Sequence, residues 1–230
     1  LVKNVLDAAA LPGRSTVAEG YQMVIDDLEE ALEKIGTGLK DGRFNSWAVK
    51  GLLARVNLYK GDYDKAYTYA VDVIRNSPYS LLATENYLAA WSARYSSESV
   101  FDLEISEQEA ANRELMGYVT AADGYSSVIM TKEFENLLNE NPDDIRLQLI
   151  AASAEEGRFY INKYPGIGGN TPVNNIRVLR LSDLYLIAAE AALKKLSADQ
   201  SAADNYLNAI IKRAIPTSSD VVATEALVLK

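Results

Sequence analysis

WAVKGLLARVNLYKGDYDKAYTYAVDVIRNSP, residues 47–78, reads as two antiparallel helices joined at Gly61-Asp62. In the first half Val49, Leu52, Leu53, Val56 and Tyr59 recur at helical spacing, and in the second Ala66, Tyr69, Ala70, Val73 and Ile74 do the same. Gly61 suits the end of a helix, where the backbone turns to positive φ and a side chain would clash. Asp62 carries a short acceptor that caps the helix after it. Ala54 and Ala66 are small enough for the two helices to approach closely.

With Ala66 placed at the small position of the second helix of a tetratricopeptide repeat, Ala54, Gly61, Tyr63 and Pro78 also fall where that repeat wants them. The stretch therefore resembles one tetratricopeptide repeat. A second pair of helices is expected over residues 178–214. There VLRLSDLYLIAAEAALKKL (178–196) presents Leu181, Leu184, Tyr185, Ala188, Ala191 and Ala192 to a core, and residues 202–214 return before Pro216 breaks the helix. The fold class expected is mostly α, with helical hairpins, a few short strands and long loops.

Composition narrows function. The 230 residues suffice for one large domain, and 48% of them are hydrophobic, enough for a substantial core. With 23 basic and 32 acidic residues the net charge is −9, which repels phosphate backbones and anionic headgroups, so no nucleic-acid partner is expected. Cysteine and histidine are both absent. Thiol nucleophiles, thiolate metal sites, histidine bases and the commonest transition-metal ligand are thereby removed, and neither a catalytic residue nor a metal or cofactor site is assigned. No apolar run approaches the ~20 residues that span a bilayer.

Along the chain, residues 1–15 form a lead-in with a Pro12-Gly13 turn. Thr16 and Glu19 make a capping box for a long helix to about Ile35, whose buried face is Val17, Tyr21, Val24, Ile25, Leu28, Leu32 and Ile35. Residues 36–42 are a linker. After Pro78 a short helix is expected over residues 85–95, then a strand over 99–105 from its alternating pattern, a helix over 107–118 and a loop over 119–128. A helix over 131–139 would bury Phe134, Leu137 and Leu138. Another would open at Pro142 and run through Ile145, Leu149 and Ile150, followed by a strand over 157–164 and a flexible loop over 165–170.

Four features in a fixed order resemble the SusD/RagB family of outer-membrane nutrient-binding lipoproteins. They are TVAEGYQMVIDDLEEAL (16–32); Gly42-Arg43 leading into AVKGLLARVNLYKGDYDKA; Tyr79-x-Leu81 followed by Glu98-Ser99-Val100-Phe101; and IRVLRLSDLYLIAAEAAL (176–193), with a helix ending in Lys212-Arg213-Ala214. The resemblance covers residues 16–214. It implies a SusD-like α-α superhelix in a single domain over residues 1–230 truncated at both ends, a fragment lacking the N-terminal and C-terminal parts of a longer protein. It further implies a non-catalytic surface protein, lipid-anchored through a segment outside this chain. Such a protein binds oligosaccharide, peptide or other nutrient and passes it to a TonB-dependent SusC-like outer-membrane transporter. A tetratricopeptide-type protein–protein scaffold without a glycan ligand is the alternative reading, though such adaptors repeat contiguously every 34 residues or so. A hydrolase would have carboxylates alone to work with.

Candidate ligand contacts are the aromatic residues in or beside the irregular middle: Trp91, Tyr95, Tyr118 and Tyr125. An exposed ring stacks on the apolar face of a sugar, and a tyrosine hydroxyl adds a hydrogen bond. Trp91 equally fits a core position packed under the repeat. The acid pairs Asp143-Asp144 and Glu155-Glu156 do not suit glycosidase chemistry, which needs carboxylates roughly 5–10 Å apart across a cleft. Asp143-Asp144 reads as a helix N-terminus. Gly166-Ile167-Gly168-Gly169 lacks the following Lys-Ser/Thr of a phosphate cradle. Arg180 and Asp183, three residues apart, can form an ion pair within the helix.

Overall fold

The computed structural model describes residues 10, 13–38, 42–110, 115–121, 124–125, 127–152, 157, 159–170 and 173–229. Helix α1, Val17–Lys34, begins in the expected capping box: the Glu19 amide donates to Thr16 Oγ1 at 3.2 Å, and the Thr16 amide donates to the Glu19 carboxylate at 2.8 Å. Helices α2, Ser46–Lys60, and α3, Tyr63–Asn76, meet at Gly61, which adopts φ 86°, and Asp62 caps α3 through the Lys65 amide. The hairpin read from the sequence is present at its expected ends.

The chain then leaves the helical layer. It forms a one-turn helix α4, Thr84–Tyr87, a 3-10 turn at Ala89–Ser92, and strand β1, Ser99–Leu103. Two short helices follow, α5, Glu107–Ala110, and α6, Met116–Thr120, and then α7, Lys132–Leu138, capped by Thr131. A second 3-10 turn, Ile145–Leu149, runs directly into β2, Ile150–Ala152, which pairs antiparallel with β3, Phe159–Ile161. Strand β4, Ile176–Arg180, returns antiparallel to β1 and leads without a break into α8, Leu181–Lys194. Helix α9, Gln200–Ala214, and the short α10, Glu225–Val228, complete the described chain.

Several expectations are corrected. Residues 178–180 belong to β4, not to the helix, because their backbone groups bond to β1; Asp183 meets the Arg180 amide at 3.0 Å where the helix begins. The helix expected from Pro142 is a 3-10 turn followed by a strand. Asp144 caps the turn rather than a helix, accepting from the Arg146 amide and pairing with the Arg146 guanidinium at 2.6 Å. The segment over 85–95 divides into α4 and a 3-10 turn. Val17, Tyr59 and Phe134, read as core, are exposed at 77%, 70% and 40%. Helical spacing selects a face but does not ensure that anything covers its full width. Glu155 and Glu156 lie outside the described residues.

Packing explains the architecture. Helix α3 lies against α2 on one side and α8 on the other, and α8 against α9, so the two helix pairs form one continuous layer. The contacts are lined by alanines, with Ala48, Ala54, Ala66, Ala70, Ala188, Ala189, Ala191, Ala192 and Ala203 fully buried. Small side chains permit close helix approach, and close approach excludes water along the whole seam. Ala66→Leu is expected to cost about 1–3 kcal/mol by overpacking this seam. An unchanged urea midpoint would count against the pairing.

The described residues between 77 and 175 therefore form an excursion from the helical layer, closed at its base by the β1–β4 ribbon. Two buried ion pairs anchor that base. Asp102 of β1 pairs with Arg177 of β4, and Glu98 pairs with Arg213 of α9 while accepting from the Leu82 amide at 2.9 Å. No helix among the described residues is long and apolar enough to cross a membrane.

Candidate functional site

The four aromatic residues singled out in the sequence fall in three places. Tyr118, on α6, and Tyr125, in the turn after it, meet edge to face with ring centroids 4.9 Å apart. The turn is held by the Tyr125 amide, which donates to the Tyr118 carbonyl at 2.9 Å. Gly124 is required there, since a Cβ would lie 2.0 Å from that same carbonyl oxygen. Tyr125 is 56% exposed, so the pair presents an aromatic surface to solvent on the excursion.

Tyr95 donates to Glu104 Oε2 at 2.9 Å, and Glu104 also pairs with Arg94 at 3.0 Å. With Tyr79 and Phe101 it lines a cleft of about 180 Å³ beside β1. The Tyr95 hydroxyl is thus committed to a carboxylate.

Trp91 sits in the first 3-10 turn and is buried. Tyr87 and Tyr164 meet it edge to face, with centroids 6.1 and 5.9 Å away. Lys163 Nζ lies 4.4 Å from the centre of its ring, and the Arg180 guanidinium 5.4 Å. The negative face of the indole is thus occupied by cations. Of the two readings left open for Trp91, packing under the scaffold describes its burial, yet the residue also walls a cavity of about 430 Å³.

That cavity is built from separated parts of the chain: Arg55 and Tyr59 from α2, Lys163 and Tyr164 after β3, and Arg180 and Asp183 at the β4–α8 junction. Asp183 takes Arg180 at 2.9 Å and approaches Arg55 at 3.7 Å, while Arg55 donates to the Val178 carbonyl at 3.1 Å. Burial pushes the Lys163 ammonium down to about 8, helped by the nearby Arg180 charge and opposed by Asp183. Burial raises the Tyr164 hydroxyl, keeping it protonated. Burial works against the charge on Arg180, but Asp183, Tyr87 and Glu98 outweigh it, and the guanidinium is held more firmly charged.

Helix order, the β1–β4 closure and the alanine seam can be compared with known proteins. The model of the SusD family matches residues 97–226, more than half of the chain. The chain belongs to the SusD family. A SusD-like protein from Bacteroides ovatus is 26% identical over 226 aligned positions, covering 75% of this chain and 40% of that protein. The crystal structure of a SusD superfamily protein from Bacteroides thetaiotaomicron superposes with TM-score 0.89 at 37% identity, over 99% of this chain and 54% of that one. Another, from Bacteroides vulgatus, gives TM-score 0.87 at 35% identity, over 95% and 52%. The fold is shared, at 20% identity and TM-score 0.74, with the surface glycan-binding protein A of Bacteroides thetaiotaomicron, solved in complex with laminarihexaose; 93% of this chain and 57% of that one are covered. The chain thus spans about half the length of these relatives.

Within this SusD-family scaffold, sequence reading missed Lys163, Tyr164 and Arg180 as partners of Trp91, and Arg55 as a further wall of the same cavity. The one signal available was Lys163-Tyr164, a cation and an aromatic residue closing a strand-like run. Nothing local connected that run to Trp91, which lies over 70 residues earlier.

Proposed function

We propose that this chain is the helical scaffold of a non-catalytic nutrient-binding protein at the bacterial cell surface. It binds oligosaccharide through the aromatic residues of its excursion. The complete protein is lipid-anchored to the outer membrane and delivers the glycan to a TonB-dependent SusC-like transporter. The observation that carries this reading is the Tyr118–Tyr125 pair, displayed with Tyr125 in solvent by the excursion from a SusD-family helical layer. Two rings at right angles offer a stacking face and an edge to one sugar, and the exposed Tyr125 adds a hydroxyl. Family membership and the laminarihexaose complex of a protein sharing the fold support an oligosaccharide as the ligand. Tyr95 is a further contact beside its own cleft. Helices α2 and α9 hold the excursion and present the remaining surface to the transporter.

Calorimetry of the intact protein against laminarihexaose and a panel of neutral and acidic oligosaccharides tests this reading, with co-purification of the transporter as its second arm. Tyr125→Ala is expected to weaken glycan binding roughly tenfold, about 1.4 kcal/mol, without lowering the melting temperature, because its ring is largely outside the core. Gly124→Ala is expected to do the same by opening the turn that holds the rings together. A fall in melting temperature that matches the fall in affinity would assign the tyrosines to structure. Absence of any glycan ligand, with no transporter retained, would overturn the reading as a whole.

A further inference from the structure

Among the described residues, the two arginines whose side chains are buried are each paired with a carboxylate. Arg177 is paired with Asp102 and Arg213 with Glu98. Each pairing offsets the cost of taking a charge out of water. Lys163 breaks this pattern. Partial burial depresses its basicity, yet among the described residues no hydrogen bond or ion pair reaches its ammonium group, and its neighbour is the ring of Trp91. The indole Nε1 of Trp91 is itself a buried donor without an acceptor among the described residues. Two unsatisfied donors, one of them charged, therefore belong to adjoining side chains of the 430 Å³ cavity.

The rest of the wall has the same character. Arg55, Lys163, Arg177 and Arg180 face a single carboxylate, Asp183. With Arg177 neutralised by Asp102, the cavity holds two positive charges in excess, in a chain whose net charge is −9. Ionic screening acts over about 8 Å at physiological salt, so the acidic outer surface does not cancel this local field. Asp183 shows what the wall accepts: one carboxylate lying between two guanidinium groups, at 2.9 and 3.7 Å. Tyr59, exposed at 70%, and Tyr164 add aromatic surface at the rim. The volume lies at the small end of the range for ligand pockets and suits a single sugar residue.

We propose that this cavity is an anion subsite that takes the carboxylate of a uronic-acid residue in an acidic oligosaccharide, with Lys163 as its principal contact and Arg55 and Arg180 flanking. The inference rests on the glycan-binding reading above and narrows its substrate class. The carboxylate supplies an acceptor for the Lys163 ammonium, and the sugar ring lies toward Tyr59. A charge-assisted contact to a buried cation is stronger than a neutral hydrogen bond.

The Lys163 ammonium faces Arg180, Arg146 and Arg213 as well as Asp183, and the three arginines favour its neutral form. A bound carboxylate opposes them and holds the proton. Affinity for the acidic ligand is accordingly expected to persist through neutral pH and to decline above about 8, where the free lysine loses its charge.

The test is calorimetry of the intact protein and its Lys163→Met variant with trigalacturonate and free glucuronate as acidic probes and laminaritriose as the neutral one. The expected result is tenfold or greater loss of acidic-probe affinity in Lys163→Met, with laminaritriose binding and melting temperature not reduced. Binding of laminaritriose alone, or equal affinity of both proteins for the acidic probes, would overturn the anion subsite and leave the glycan-binding reading standing. No binding of any probe would count against both. A lowered melting temperature in Lys163→Met without change in acidic-probe affinity would identify the occupant as a carboxylate of the protein itself, and would also overturn the proposal.

Discussion

Arg177→Met is expected to lower the unfolding free energy by about 3–5 kcal/mol, the cost of leaving a buried charge without its partner. The guanidinium of Arg177 does more than pair with Asp102. Its Nη1 also donates to Ser99 Oγ at 2.9 Å and to the Arg94 carbonyl at 3.0 Å, and its Nη2 to the carbonyls of Ala93 and Ala90 at 2.6 and 3.2 Å. One side chain of β4 thereby satisfies the backbone around the Trp91 turn and locks it to the base of the excursion. Methionine fills the volume and supplies none of these donors.

The same variant has a pH signature. Burial already raises the Asp102 carboxyl, and Arg177 opposes that rise. Without the arginine, only Ser99 and the more distant Arg180 oppose burial, and the folded-state value moves further above the unfolded one. A carboxyl displaced in that direction favours folding when protonated, so stability is lost as pH rises through the window. The deficit of Arg177→Met relative to the parent should therefore be larger at pH 7 than at pH 5. Urea titrations at both pH values check this, and a shift below about 1 kcal/mol at pH 7 would remove Arg177 from its anchoring role.

Lys163→Met is expected to act in the opposite direction. The folded-state value of Lys163, about 8, lies below the ordinary 10.5. Below pH 8 both folded and unfolded chains carry the proton, and the folded state bears the full cost of the buried charge. Between 8 and 10.5 the unfolded chain holds a proton that the folded chain has released, so stability rises with pH. The displacement corresponds to a cost on the order of 3 kcal/mol at neutral pH. Losing the contact with the Trp91 ring offsets about 0.5–2 kcal/mol of this, and a methionine at the same place keeps some of it through sulfur–aromatic contact. A net gain of about 1–2 kcal/mol at pH 7 is expected, shrinking toward zero near pH 10.5. Denaturation of variant and parent at pH 7 and pH 10 measures the difference. Destabilisation at pH 7 would mean that the charge is compensated in the folded state.

Together with the binding proposal, this gain gives the lysine a recognisable position. A partly buried cation that weakens the fold and is stabilised by an anionic ligand is characteristic of a binding site, where function and stability pull apart.

The helix pair α2–α3 was legible to within two residues at each end because its signals are local. Apolar spacing, a glycine able to adopt φ 86°, and an aspartate at the cap are all carried by the 32 residues quoted first. The Thr16–Glu19 capping box and the core face of α8 were readable for the same reason. The resemblance to the SusD/RagB family, resting on the order of four such segments, was likewise available in the sequence, and with it the expectation of a mostly helical scaffold.

Tertiary structure alone decided the rest. Val178–Arg180 has the pattern of a helix start and becomes a strand because β1 lies beside it. Tyr59 has core spacing and stays in solvent because nothing described here covers that edge of α2. Trp91, read as either core or ligand contact, proved to be a buried wall of a basic cavity whose other walls come from α2, the β3 exit and the β4–α8 junction. Tyr118 and Tyr125 were close in sequence, so their pairing across a glycine turn was within reach. Lys163 and Trp91 were not, since their meeting depends on how a 99-residue excursion closes on itself. Sequence determined the helices, through short-range periodicity and capping. Long-range pairing and burial assembled the site.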